Sequence, residues 1–125
     1  MMRILFVFVF LSSISFGQNV HIPDANFKLF LVENTEINTN GDTEIQLSEA
    51  ESYSDTIVCS FRKIKDLTGI EAFIYLKKLH CSGNKLTSLD VSKNTALIDL
   101  DCSINKLTSL DVSNNTILKT LHCSG

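Results

Sequence analysis

The chain has 125 residues, and its 11 basic and 14 acidic side chains give a formal net charge of −3. This mildly acidic balance argues against a protein that binds the phosphate backbone of nucleic acids, which would need clustered Lys and Arg. The length favours one domain, and beyond the N-terminal leader no segment is apolar enough to span a membrane.

Residues 1–17 have the layout of a secretory signal peptide. Arg3 gives a positive start, residues 4–14 are almost wholly apolar, and small residues precede a cut before Gln18. The alternative is a buried N-terminal strand or an uncleaved anchor. Cleavage would remove Arg3 and so make the net charge one unit more negative than −3. We therefore predict an exported protein, secreted or held at the cell surface.

Residues 18–53 show no repeat and predict a small helical cap. Pro23 and Asp24 signal a helix start, so a short helix is expected from about Asp24 to Val32. A second helix is expected to begin near Ser48. Such a cap would cover the first edge of the repeats that follow.

The segment between the two predicted helices, 38–49, resembles an EF-hand calcium loop. Calcium takes hard oxygen ligands, and it is expected to be held weakly if this loop binds it. The usual Asp at the first position and the usual Gly at the sixth are both absent. The alternative is a polar turn in which Glu49 caps the second helix. The candidate metal ligands are Asn38, Asn40, Asp42, Glu44 and Glu49.

From residue 54 the chain repeats itself at a fixed spacing. Leucines recur at positions 76, 97 and 118, and cysteines recur at 81, 102 and 123. The unit reads L-x-x-L-x-C-x-x-N-x-L-x-x-L-D-V-S-x-N, and its two short alternating runs predict two strands per turn with no room for a full helix. Each unit is then one turn of a solenoid, and neighbouring turns pair as parallel strands.

The first turn, 54–75, is irregular, because Cys59 and Cys81 stand one position further apart than the later cysteines and Arg62 replaces the expected Asn. Regular turns follow at 76–96 and 97–117, with a partial turn at 118–125. At the corners of these turns, inward Asn side chains are expected to bond bare backbone groups. Asn84 and Asn105 are expected to do so at the first corner, and Asn94 and Asn115 either do the same at the second corner or are merely solvated.

This pattern resembles the leucine-rich repeat family, most closely the 21-residue, Cys-containing class of secreted Bacteroidota proteins. The resemblance covers Ser54 to Gly125. It implies a repeat solenoid with parallel β-strands, a small helical N-terminal cap and a concave sheet face on which partners dock. Members usually have more turns and often a C-terminal sorting domain, so a fragment or truncated product is expected. Its open C-terminal edge would favour self-association.

The four cysteines occupy core-facing slots that alternate with Leu. This placement favours a column of buried free thiols over disulfide bridges. The equivalent positions His80, Asp101 and His122 are expected to form a column on the outer face of the sheet. They either hold a metal or a ligand, or simply face water.

No catalytic motif is present, and no Gly-rich phosphate loop occurs. Alternation sends His80 outward and Cys81 inward, so the two cannot act as a base and nucleophile. We therefore expect a non-enzymatic binding module for a protein or a glycan, without a cofactor unless calcium is bound. A calcium-dependent module is the alternative, and a structural spacer is a third reading. The expected partner-binding face consists of Lys78, His80, Asp99, Asp101, Thr120 and His122.

Overall fold

The computed structural model describes residues 17–125, which form two short helices and a parallel sheet. The leader predicted at residues 1–17 lies outside the described residues, apart from Gly17. Helix α1 spans Ala25–Glu33 and helix α2 spans Leu47–Ser52. Among the described residues, no helix has the length and apolar character needed to cross a bilayer.

The sheet takes one three-residue strand from each turn, and the strands pair in parallel in sequence order. They are β1 (Thr56–Val58), β2 (Lys78–His80), β3 (Asp99–Asp101) and β4 (Thr120–His122). The register aligns the central residues Ile57, Leu79, Leu100 and Leu121. Residues one repeat apart therefore lie side by side, which confirms the predicted repeat solenoid.

The second strand predicted for each turn does not form within residues 17–125. Leu89 and Val91 alternate with polar residues and Val91 is buried, yet this segment has no strand pairing. Its backbone closes a tight turn, in which the amide of Asn94 donates to the carbonyl of Val91 at 3.0 Å. The prediction of a second strand was wrong because alternating burial here arises from a turn, not from a sheet.

One extra residue, Gly69, explains why the first turn is longer than the others. It precedes a short 3₁₀ helix, Ile70–Ala72, and has a left-handed φ of +111°. A Cβ at this position would lie 2.8 Å from the Ile22 side chain and 3.0 Å from the His21 carbonyl oxygen. Because glycine has no Cβ, the N-terminal part of the cap can pass close over the first turn.

The apolar columns of the turns and the cap helices share one core. Leu79 and Leu100 are fully buried, as are Phe27 and Leu31 of α1. Burying a side chain of this size contributes about 1.5–3 kcal/mol to stability. Leu121 is 37% exposed because β4 is the edge strand of the sheet.

Inward asparagines satisfy backbone groups at the first corner, as predicted. The Oδ1 of Asn84 accepts hydrogen bonds from the amides of Arg62 and Ile64, both at 3.0 Å. Its Nδ2 donates to the carbonyls of Cys59 and Cys81 at 3.0 and 2.9 Å. One buried side chain thus joins two turns and pairs backbone groups that would be costly to leave bare.

The same device recurs in the later turns. Asn105 accepts from the amide of Leu86 and donates to carbonyls of its own turn and of the preceding turn. At the second corner, Asn94 and Asn115 donate to backbone carbonyls in the turn before. This confirms the prediction for both corners, although the buried Oδ1 atoms of Asn94 and Asn115 meet no donor within residues 17–125.

Helix α1 starts one residue after the predicted start, because Asp24 is its N-cap. The Oδ1 of Asp24 accepts from the amides of Asn26 and Phe27 at 2.9 and 3.0 Å. Its Oδ2 accepts from the amide of Lys65 at 2.8 Å. One carboxylate therefore caps the helix and ties the cap to the first turn.

The position after each Cys-Ser pair has a left-handed backbone. The φ values are 56° at Phe61, 68° at Gly83, 53° at Ile104 and 91° at Gly125. Glycine adopts this conformation without steric cost, whereas other residues lose about 1–2 kcal/mol. Ile104 is 58% exposed, so little packing offsets the strain of its β-branched side chain.

Three of the four thiols form a buried column. Cys59, Cys81 and Cys102 are free and buried, which confirms the prediction for them, but Cys123 is exposed on the edge strand's side of the stack. Burial raises the pKa of Cys59 to about 12 and the pKa of Cys102 to about 11. Burial also raises the pKa of Cys81.

We predict that only Cys123 reacts quickly with a thiol reagent in the folded protein at about pH 8, since the thiolate is the reactive form. Unfolding in urea should expose all four thiols, with pKa values near the ordinary 9.0. Because the folded-state pKa values are raised, the contribution of the buried thiols to the free energy of unfolding should be constant below about pH 9 and fall as the pH rises towards about 11 to 12. Timed thiol labelling measures the reactivity, and urea denaturation at several pH values measures the free energy of unfolding. Rapid labelling of two or more thiols in the folded protein would contradict the buried column.

Replacing Ile104 with Asn should raise the free energy of unfolding by about 1 kcal/mol, because Asn tolerates the left-handed conformation. Ile117 is a matched control: it is 52% exposed and does not have a positive φ. Ile117→Asn should change the free energy of unfolding by less than about 0.5 kcal/mol. Urea denaturation of both variants measures the difference, and a loss of stability in Ile104→Asn would show that the residue is not strained.

Candidate functional site

The outer face of the sheet carries two columns of side chains, one on each side of the buried central column. The strand register places one column at Thr56, Lys78, Asp99 and Thr120, and the other at Val58, His80, Asp101 and His122. The six residues expected to form a partner-binding face therefore lie on one surface. Parallel strands space them about 4.8 Å apart.

A diagonal pair joins the two columns at the centre of this face. The Nε2 of His80 lies 3.0 Å from the Oδ2 of Asp99, and both side chains are only partly exposed. The contact is an ion pair when the imidazole is protonated, and otherwise a hydrogen bond. It orients His80 across the strands instead of along its own column.

Asp101 lies between the two histidines of its column and is held in place by Ser103. Its Oδ1 accepts from the Ser103 hydroxyl at 2.6 Å and from the Ser103 amide at 3.1 Å. Burial alone would raise the pKa of Asp101, but these hydrogen bonds together with the nearby His122 and His80 lower it overall. The carboxylate is thus a fixed negative charge at neutral pH.

The outer face does not bring ligands together as a metal site requires. Within residues 17–125, no three His, Cys, Asp or Glu side chains converge on a point that could hold a metal ion. His80 pairs with Asp99, while His122 is exposed on the edge strand. The arrangement therefore fits a contact surface better than a coordination site.

The loop at 38–49 is closed by its own hydrogen bonds. Glu49 is 8% exposed, and its Oε1 accepts from the amides of Thr39 and Asn40 at 2.9 and 3.2 Å. Its Oε2 accepts from the amide of Gln46 at 2.9 Å, which forms a capping box at the start of α2. These contacts match the alternative in which Glu49 caps the helix.

The other candidate calcium ligands face partners of their own. Glu44 forms an ion pair with Lys28 at 2.8 Å, and Asp42 accepts from the amide of Glu44 at 3.0 Å. The side-chain amide of Asn40 donates to Asp42 and Gln46. Asn38 donates to two backbone carbonyls, and its Oδ1 is buried without a partner.

The left-handed residue of the loop is Gly41, with a φ of +73°. It stands at the fourth position, whereas an EF-hand loop turns at the sixth. Four of the five candidate ligands thus already use at least one side-chain oxygen in a hydrogen bond or an ion pair, whereas the buried Oδ1 of Asn38 meets no donor among the described residues. Calcium binding here remains a prediction.

A second surface was missed by the sequence reasoning. Leu29 and Phe30 of α1 lie beside Phe61 and Arg62, the residues that follow β1, and they line one groove. The sequence does contain a clue to this surface, because two of the four equivalent left-handed positions carry glycine. A bulky residue such as Phe61 at one of these positions is unusual, and this can be seen from the sequence alone.

Comparison with known proteins identifies the fold. No protein-family model matches the chain, and no curated protein sequence matches it. The functional domain of InlJ from Listeria monocytogenes, whose structure includes a cysteine ladder, is 35% identical over 85% of this chain with a TM-score of 0.72. The internalin InlF from Listeria monocytogenes is 23% identical over 86% of this chain, also with a TM-score of 0.72.

This chain spans only 23% and 32% of those two structures. In this chain, parallel strands and repeating turns bring Leu, Cys and Asn into columns. The chain therefore has the leucine-rich repeat fold, a solenoid of stacked turns that starts with a helical cap.

Proposed function

We propose that this chain is an exported, non-catalytic leucine-rich repeat module of the 21-residue, Cys-containing class, which binds a protein or a glycan through the outer face of its sheet. The observation that carries the proposal is the paired array on that face. Lys78, His80, Asp99 and Asp101 project from strands whose backbones are fixed by stacking. A rigid array loses little conformational entropy when a partner docks.

The chemistry of the array suits a polar partner. The adjacent strands β2 and β3 carry the positive charge of Lys78, the negative charge of Asp101 and the His80–Asp99 pair. Such mixed donors and acceptors can match the polar rim of a protein interface or the hydroxyl groups of a sugar. The similarity to the functional domain of InlJ supports a binding role, and the leader-like residues 1–17 support export.

To test this face, Lys78→Ala with His122→Ala should weaken binding to any hit from a glycan array or a panel of extracellular proteins by about tenfold or more. Both side chains are exposed on the sheet. The matched control is Lys93→Ala with Lys106→Ala, which removes charges away from the strands. The proposal would be rejected if both variants lost the same amount of binding affinity, or if the wild-type chain bound nothing on the array or in the panel.

We also propose that the chain self-associates through β4. The amides of Cys81 and Cys102 donate to backbone carbonyls of the strand that follows. The central leucines of β2 and β3 are fully buried, whereas Leu121 at the centre of β4 is 37% exposed. An edge strand with apolar side chains and free backbone groups pairs readily with another strand. A second copy could extend the sheet from β4.

Sedimentation of the wild-type chain should therefore show dimers at about 100 µM, the concentration range of weak association. Leu121→Lys should shift the population to monomers, because a charge on an edge strand opposes pairing. Val58→Lys is the control, since Val58 is 51% exposed on the first strand. A wild-type chain that stays monomeric, or an equal effect of both variants, would count against association through β4.

Calcium binding at 38–49 is the second candidate function, and the unpaired Oδ1 of Asn38 favours it. A cation would have to displace the hydrogen bonds of Glu49, so binding should be weak, in about the millimolar range of extracellular modules. This candidate predicts heat on calcium titration and a higher melting temperature, both lost in Glu49→Gln and kept in Glu51→Gln. Glu51 is exposed and lies outside the loop. Calorimetry without a calcium signal would leave only the binding-face proposal.

A further inference from the structure

A groove lies between helix α1 and the corner of the first turn, away from the paired strands. Its volume is about 370 Å³, which is enough for one large side chain with part of its backbone. Apolar and cationic groups share its lining. The lining includes Asn26, Leu29, Phe30, Phe61, Arg62 and Lys63.

Phe61 is held in this groove at a position that the fold would fill more easily with glycine. Its φ is 56°, and two of the next three turns have glycine at the equivalent position, Gly83 and Gly125. The ring is 70% exposed, so it adds little to the core. Ile104 shares this backbone conformation and exposure, but Phe61 also lines a groove, and the combination of strain, exposure and a groove indicates a function at Phe61.

The Phe61 ring also contacts the next turn. It lies against Gly83, where an added Cβ would collide with the ring atoms. Leu29, 55% exposed on α1, supplies a second apolar wall. Together they offer an apolar slot, and aromatic side chains are typical anchors of protein interfaces.

Two cations border this slot. The Arg62 guanidinium carbon lies 4.8 Å from the centre of the Phe30 ring, which holds the charge over the groove by a cation–π contact. Among the described residues, neither Arg62 nor Lys63 forms an ion pair. The Asp24 carboxylate accepts from three backbone amides and forms no ion pair with either cation among the described residues, so both Arg62 and Lys63 can pair with a partner.

We propose that this groove binds an acidic peptide segment that carries one apolar or aromatic side chain. The apolar side chain enters the slot between Phe61 and Leu29, and the flanking carboxylates pair with Arg62 and Lys63. Two unpaired cations on a chain of net charge −3 supply the charge complementarity. This groove is separate from the outer face of the sheet, so the two binding proposals are tested independently, and rejection of one leaves the other standing.

The probe is a fluorescein-labelled peptide of Glu and Asp residues around one central Phe, and the readout is fluorescence anisotropy. Two control peptides replace the acids by Gln and Asn, or the Phe by Ala. Binding of the acidic probe should weaken with added salt, because exposed charges are screened. No anisotropy change up to about 0.5 mM protein, or equal binding of all three peptides, would overturn the proposal.

The matched protein variants are Phe61→Gly and Ile104→Gly. Both remove an exposed apolar side chain from the same left-handed position, where Gly83 and Gly125 already fit. Phe61→Gly should bind the probe about tenfold or more weakly, while Ile104→Gly should change binding less than about twofold. Equal behaviour of the two variants would overturn the proposal.

Two further variants keep the test valid if Phe61→Gly perturbs the fold. Leu29→Ser removes the opposite wall of the slot on an exposed helix position. Arg62→Gln with Lys63→Asn removes the charges, and Asn tolerates the positive φ of 60° at Lys63. Each should weaken binding of the acidic probe, and the charge variant should also abolish its salt dependence. Unchanged binding in either folded variant would overturn the proposal.

Discussion

The fold depends on how each turn satisfies the backbone groups left bare at its corners. A three-residue strand pairs only a few amides and carbonyls, and the rest of the turn would bury polar groups without partners. Asn84 solves this at the first corner, because its amide group bonds four backbone groups in two turns at 2.9 to 3.0 Å. The longer first turn and the regular turns after it all place such an Asn directly above the corner that it serves, and this fixes the register of the strands.

Once the register is fixed, the surface follows from it. Leu79 and Leu100 meet in the core, and the residues on either side of them face outward in straight columns. The thiols fill the next inward slot, where burial keeps them protonated. The outer face is thus an array whose side chains change from turn to turn while the backbone stays constant, which is the property that lets a solenoid present a binding surface.

The sequence predicts the stacking of the turns well, because residues that recur at a fixed spacing occupy equivalent positions in successive turns. The column positions and the inward Asn84 follow from spacing and residue type, and Pro23 and Asp24 locate the start of α1 to within one residue. Two features cannot be predicted from spacing and residue type. Alternation around Val91 predicts a strand, but the same burial pattern arises from a turn stabilised by Asn94. The groove at Phe61 depends on how α1 packs against the first turn, and no local pattern encodes that distance.

The most direct test of the account is amide hydrogen exchange at the equivalent positions Ile64, Leu86 and Leu107. The amides of Ile64 and Leu86 each donate to the Oδ1 of an Asn in the next turn, at 3.0 Å, and among the described residues Leu107 has no such acceptor. We expect Ile64 and Leu86 to exchange more slowly than Leu107 by about tenfold or more. In Asn84→Ala the protection of Ile64 should be lost first. Equal exchange at all three positions would contradict the account.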